Sequence, residues 1–164
     1  MPLIRNGRPA DDPFAALADD APLVDGPVIV SLTRLRRDRE ALLARNAPLG
    51  VRLKSDESPE ALGPDVERLA LVVLEFPKFR DGRPFSRARL LRTRLRFTGE
   101  IRAAGDFLYD QLAFMARVGF DAFELPPSLT PELFRRALGE MSLVYQPGAD
   151  GRPTAAALRA NKHP

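Results

Sequence analysis

The chain has no cysteine and no tryptophan. The first absence excludes disulfides, thiolate nucleophiles, cysteine-ligated zinc and cysteine-held iron–sulfur clusters. Its one histidine, His163, is the penultimate residue, and a chain end is a poor place to fix a ligand or a general base. Histidine catalysis and His-rich metal sites fall with it, so no metal is expected. No apolar run approaches the roughly 18–20 residues of a membrane span. The first residues carry Arg5, Arg8, Asp11 and Asp12 without an apolar stretch, so no secretory signal is read and the expected compartment is the cytoplasm. No G-x-G-x-x-G follows a strand, and neither a Walker-type phosphate loop nor a G-x-S-x-G elbow occurs. No cofactor is evident from the residues.

What is present suits one folded domain. A length of 164 residues, with 45% hydrophobic and 29% charged residues, is enough to bury a proper core. The formal net charge is only +3, but it is unevenly spread. Lys78, Arg80, Arg83, Arg87, Arg89, Arg92, Arg94 and Arg96 face a single acid, Asp81, giving that segment +7 and the remaining chain −4. A basic stripe on an acidic body attracts anions or an acidic partner surface. The absence of tryptophan and of aromatic-interleaved RNA motifs, together with the acidic remainder, argues against nucleic acid.

Apolar patterning alternates between strand and helix. Residues 28–33, 49–53, 69–76, 100–104 and 121–125 read as strands, with 142–145 as a further candidate. The run at 69–76 is nearly all apolar, as a strand covered on both faces must be. Helices are expected over 35–45, from Ser58 with a break at Gly63–Pro64, over 87–96 with Ser86 as N-cap, over 107–118 with Asp106 as N-cap and Gly119 as stop, and from Thr130 to about Met141. Arg36 and Glu40 are spaced to support the first of these. The fold class is therefore α/β, a single domain of successive βα units with a mostly parallel sheet. Whether it is open and doubly wound or partial-barrel-like is left open. The divisions are an uncertain N-terminal arm over 1–21, the α/β domain over 22–146, and a flexible tail over 147–164 in which 154–160 suits a short helix. Oligomeric state is not indicated.

Ligands of such sheets lie beyond the carboxyl ends of the strands. Lys78, Arg80 and Arg83, with Ser86 at the start of the next helix, form a candidate oxyanion site. Asp106 and Glu124 are the nearby candidates for proton transfer. The structural alternative has Asp81 pairing with Arg80 or Arg83, and Ser86 and Asp106 merely capping helices. At 100° per residue, Ala88, Leu91 and Leu95 should face the sheet. Leu90 and Phe97 then lie among arginines, so Arg87, Leu90, Arg94 and Phe97 make a candidate partner surface. The alternative places Phe97 past the helix end.

Three stretches resemble a known family. These are Glu75-Phe-Pro-Lys-Phe-Arg-Asp-Gly-Arg-Pro-Phe-Ser-Arg-Ala-Arg-Leu-Leu-Arg92, Gly99-Glu-Ile-Arg-Ala-Ala-Gly-Asp106, and Asp110-Gln-Leu-Ala-Phe-Met115 through Gly119-Phe-Asp-Ala-Phe-Glu-Leu125. Together they are similar to the bacterial family catalogued as domain of unknown function 934. Members are typically encoded beside assimilatory sulfite reductase and described as probable oxidoreductases of sulfite reduction. The resemblance implies a role in that pathway and carries over no catalytic residue. Because the chain shows no ligands for siroheme, an iron–sulfur cluster, flavin or nicotinamide, an accessory role is expected. Its partner would be sulfite reductase or an acidic electron-transfer protein. The competing expectation is a small enzyme acting on a sulfur or phosphate oxyanion.

Overall fold

A computed structural model describes residues 2–140 and 143–160. It shows a mixed α/β architecture built on an eight-stranded sheet curled into a half-barrel. The strands are β1 (Leu3–Arg5), β2 (Arg8–Ala10), β3 (Ala15–Ala16), β4 (Val28–Ser31), β5 (Leu49–Leu53), β6 (Leu71–Phe76), β7 (Glu100–Gly105) and β8 (Ala122–Glu124). The helices are α1 (Leu32–Arg37), α2 (Arg39–Leu43), α3 (Arg83–Thr93), α4 (Leu112–Val118), α5 (Pro131–Gly139) and α6 (Ala155–Ala160), with 3-10 turns at Pro59–Arg68 and Tyr109–Gln111.

Strands β3 to β8 lie side by side in chain order and are all parallel, while β1 pairs antiparallel with both β2 and β8. Period-2 alternation then divides the sheet into two faces. Val28, Val30, Val51, Leu53, Val72, Leu74, Phe76, Ile101, Ala103 and Phe123 share one large core with helical residues such as Leu35, Leu42, Leu91, Met115 and Phe134. The other face buries a small cluster of Ile29, Leu71, Val73 and Ala104 beneath Phe14. Helices thus cover one face only, and the doubly wound alternative is corrected to a curled sheet.

The curl follows from chain length. Strands β2 and β3 occupy opposite edges of the sheet, yet only residues 11–14 separate them. Five Cα steps reach at most about 18 Å, whereas eight flat strands would span about 34 Å. The edges must therefore curve towards each other, and the segment 11–14 straps the concave side.

Local differences from the sequence reading have local causes. The expected helix at 35–45 starts at Leu32, capped by the Ser31 hydroxyl on the Arg34 N–H at 3.0 Å, and breaks at Asp38. Asp38 pairs with Arg34 and Arg37, and no Arg36–Glu40 pair is seen among the described residues. Ser58 and Thr130 do cap their helices, the kink at Gly63 falls as expected, and Gly119 ends α4 at φ +118°. Helix α3 begins at Arg83 with Gly82 as its N-cap, so Ser86 lies inside the helix and caps nothing. Asp106 is no cap either, because Leu108 precedes the 3-10 turn that leads into α4. Leu143, Val144 and Tyr145 form no strand; Met141, Ser142 and His163 lie outside the described residues. The arm at 1–21 supplies three strands, and part of the tail is α6, tied by the Ala155 N–H to the Val144 carbonyl at 2.7 Å.

Candidate functional site

The loop after β6 is held from below. Its Phe79 N–H donates to Asp106 Oδ2 at 3.3 Å, and its Phe79 carbonyl accepts from the Gln111 amide at 2.9 Å. Gln111 Oε1 in turn accepts the Leu108 N–H at 2.9 Å. Gly105 permits this approach: at φ +107°, an added Cβ would meet the Phe76 carbonyl oxygen at 2.3 Å. Asp106, a proton-transfer candidate in the sequence, thus fastens a loop with one carboxylate oxygen.

The basic stripe divides into spent and available cations. Arg83 closes its fork on Asp81, with Nε to Oδ1 at 2.9 Å and Nη2 to Oδ2 at 2.7 Å, and Nη2 also reaches Ser55 Oγ at 2.9 Å. Those Arg83 bonds outweigh burial and, with Ser55, hold the Asp81 carboxyl far below the ordinary carboxylate range. Arg92 donates to the carbonyls of Gly119, Phe97 and Gly99 and pairs with Asp121. Arg94 pairs with Glu60 at 2.8 Å on open surface. Among the described residues no carboxylate forms an ion pair with Lys78, Arg80, Arg87, Arg89 or Arg96. Arg80 instead stacks over the Phe79 ring at 5.3 Å. Arg87 is half-buried, and that burial, with the charge of Arg83, lowers its pKa.

Two members of the expected partner surface change character. Phe97 is 6% exposed and belongs to the main core. The helix ends at Thr93, Arg96 turns at φ +51°, and the Phe97 N–H bonds back to the Leu91 carbonyl at 2.9 Å. Leu90 is half-buried. Ala88 and Leu91 are fully buried and Leu95 packs at the core margin, as the helical spacing required. The apolar groups that do reach solvent here are Phe79 at 37%, Leu108 at 39% and Phe114 at 54%. Phe114 stacks on Phe85 with centroids 5.4 Å apart, and Phe85 stands edge-on to the buried Phe76 at 5.3 Å. These rings therefore rest on the end of β6.

A second constellation went unnoticed in the sequence. On the concave face Arg52 is in register with Val73, Val73 with Arg102, Arg102 with Ala122, and Ala122 with Arg5. One row of the sheet thus carries three arginines. Glu75 and Glu124 lie two residues further along their strands, and Glu100 two residues back, so acids flank the row on both sides. Glu100 bridges Arg5 at 2.5 Å and Arg102 at 2.9 Å; Glu124 meets Arg52 and Arg102, each at 3.4 Å; Glu75 meets Arg52 at 3.4 Å. Asp12, from the strap, completes the set on Arg102 at 2.6 Å. Burial would lower the Arg102 pKa, but bonds and charges of Asp12 and Glu100 carry it above its ordinary value.

Arg52, Glu75, Phe76, Pro77, Gly105 and Asp106 line a cleft of about 330 Å³ at the carboxyl ends of β6 and β7. Glu124 adjoins it through Arg52. Lys78, Arg80, Arg83 and Ser86 do not line this cleft and are exposed on the surface. The available signal was a charge at an inward position of four strands: Arg52, Glu75, Arg102 and Glu124.

No described group of three or more His, Cys, Asp or Glu side chains could hold a metal ion, and no described helix is long and apolar enough to cross a membrane. The sequence model of the family described as bacterial protein of unknown function (DUF934) matches residues 50–155. No match was found among curated proteins or among solved structures.

Proposed function

The chain belongs to the DUF934 family of bacterial proteins, and on that premise we propose that it is an accessory protein of assimilatory sulfite reduction that docks on an acidic protein surface through the loop at 77–82, α3 and the neighbouring residues 108–114 that lead into α4. The carrying observation is the combination of exposed Phe79, Leu108 and Phe114 with Lys78, Arg80 and Arg89, none of which has an ion-pair partner among the described residues. Interfaces join an apolar, aromatic centre to a polar rim, and unpaired rim charge sets orientation and association rate. Cations already bonded inside a protein supply neither. Arg83 and Arg92 therefore stay out of the docking set, Arg94 is left out because Glu60 neutralises it at the surface, and Phe97 is replaced in the set by Phe79 and Phe114.

The pathway in this proposal comes from the family resemblance, and the partner is sulfite reductase or its electron donor. Titration of the purified chain into each of these proteins at low salt tests it. The expected result is a complex with one of the two that weakens steeply with added salt, since exposed charges are screened within about 10 Å at 0.1 M. Absence of a complex with both at low salt refutes it.

The competing reading, an enzyme for a sulfur or phosphate oxyanion at the strand ends, draws support only from the cleft beside Arg52. Arg52 there faces Glu75 and Glu124, and Asp106 adds a third carboxylate. That balance disfavours an anion. Thermal shifts with sulfite, sulfate and adenylylated sulfate separate the readings, because a ligand of the native state raises stability.

A further inference from the structure

We propose that Arg102 anchors a binding site for a small carboxylate bearing an aromatic or bulky apolar group, and that the chain's own Asp12 and Phe14 occupy this site as a tethered stand-in. Arg102 is 0% exposed in the middle of the concave face. Its Nη1 and Nη2 grip the two Asp12 oxygens at 2.6 and 3.1 Å, the paired geometry a guanidinium offers any carboxylate. Phe14, two residues on, lies over Ile29, Leu71, Val73 and Ala104, with its ring centroid 5.9 Å from the Arg102 guanidinium. The strap thus lays an acid and an aromatic ring side by side on a floor made by regular strands.

Floor and occupant differ in construction. The floor is β4, β6 and β7, bonded on both sides within the sheet. The occupant is a four-residue link between exposed strands of three and two residues, and the Asp12 side chain is 36% exposed. The vacated fork specifies what replaces it, since the buried Arg102 loses both Asp12 oxygens from Nη1 and Nη2 and a carboxylate supplies two in the same spacing. Arg5, Arg52 and Arg102 balance Glu75, Glu100 and Glu124, so without Asp12 the cluster is neutral. An incoming carboxylate restores the charge that Asp12 gives, whereas an ammonium group would meet a buried guanidinium. This inference does not depend on the docking reading, which concerns the opposite side of the β6 strand end and α3.

The test uses 3-phenylpropionate as the probe and its neutral amide as the control, measured by calorimetry on wild type and on the double variant Asp12→Ala, Phe14→Ala. The expected result is binding of the acid but not the amide, about tenfold or more tighter in the variant, because wild type must first vacate the site. A folded variant that ignores the acid at about 10 mM, or takes acid and amide alike, overturns the proposal. If the variant does not fold, hydrogen exchange in wild type decides. The Phe14, Ala15 and Leu17 amides are bonded to Asp12, Pro27 and Ile29. They should exchange faster when the acid is added, and unchanged exchange overturns the proposal equally.

Discussion

Arg92 and Arg94 lie two residues apart on the same basic segment, and replacing each by methionine should have opposite consequences. The Arg92 side chain is 18% exposed. It donates to Gly119 O at 3.1 Å, Phe97 O at 2.7 Å and Gly99 O at 2.8 Å, and meets Asp121 at 2.5 Å. It thereby ties the end of α3 to the turns that enter β7 and β8. Methionine keeps much of the stem but leaves three carbonyls without this donor. Among the described residues the Asp121 carboxylate then retains only its bond from the Ile101 N–H at 2.9 Å. Orphaning a partly buried ion-pair partner and several acceptors costs about 3–5 kcal/mol. Arg94 is 73% exposed and among the described residues its side chain meets only Glu60, and such pairs contribute little. Urea unfolding followed by circular dichroism should therefore show a large fall in midpoint for Arg92→Met and none resolved for Arg94→Met. Equal midpoints for the two variants would refute the division of the stripe into internal and external cations.

Other substitutions probe the same account. Phe97→Ala should lower stability by about 3 kcal/mol, as emptying a buried phenylalanine site does, without altering partner affinity; the converse outcome would restore Phe97 to the docking surface. Gly105→Ala should cost about 3 kcal/mol in the same unfolding assay, since the backbone is left-handed there and the new Cβ would strike the Phe76 carbonyl. Acid should weaken the strap. Burial tends to raise the Asp12 pKa, but the Arg102 bond, the Phe14 N–H and the charges of Arg102 and Arg5 bring it below its ordinary value of 3.8. A carboxyl depressed in the folded state stabilises above its unfolded pKa and loses that contribution as pH falls through the folded one. Asp12→Asn should consequently flatten the decline in stability below about pH 4, and an unchanged acid limb would argue against the pairing.

Sequence patterning located elements well where one segment carried its own signal. The run ending at Phe76 was identifiable because Val72, Leu74 and Phe76 meet the helices while Leu71 and Val73 meet Phe14. Ser58, Thr130 and Gly119 announced helix ends through chemistry local to a few residues. Strands β1, β2 and β3, at three, three and two residues, are too short to display a period. They form because the curled sheet has edges to receive them. The arginine row was hidden for another reason. Each strand contributes one or two charges, and only the register across Arg52, Arg102 and Arg5 gathers them on one face. Sorting the basic stripe likewise required tertiary partners, since Asp121 and Glu60 lie 29 and 34 residues from the arginines they meet. For Phe97 the alternative that it lies past the helix end is the one that holds, and the turn at Arg96 that decides it leaves no mark in composition or spacing.

The most direct trial of the docking account is the affinity for sulfite reductase and for its electron donor of a chain carrying Lys78→Glu, Arg80→Glu and Arg89→Glu. These side chains are exposed and have no ion-pair partner among the described residues, so the variant should unfold at the wild-type urea midpoint. The account predicts that its affinity falls by tenfold or more, roughly 1.4 kcal/mol, for whichever of the two proteins binds wild type. A stable variant that binds that protein as wild type does would contradict it.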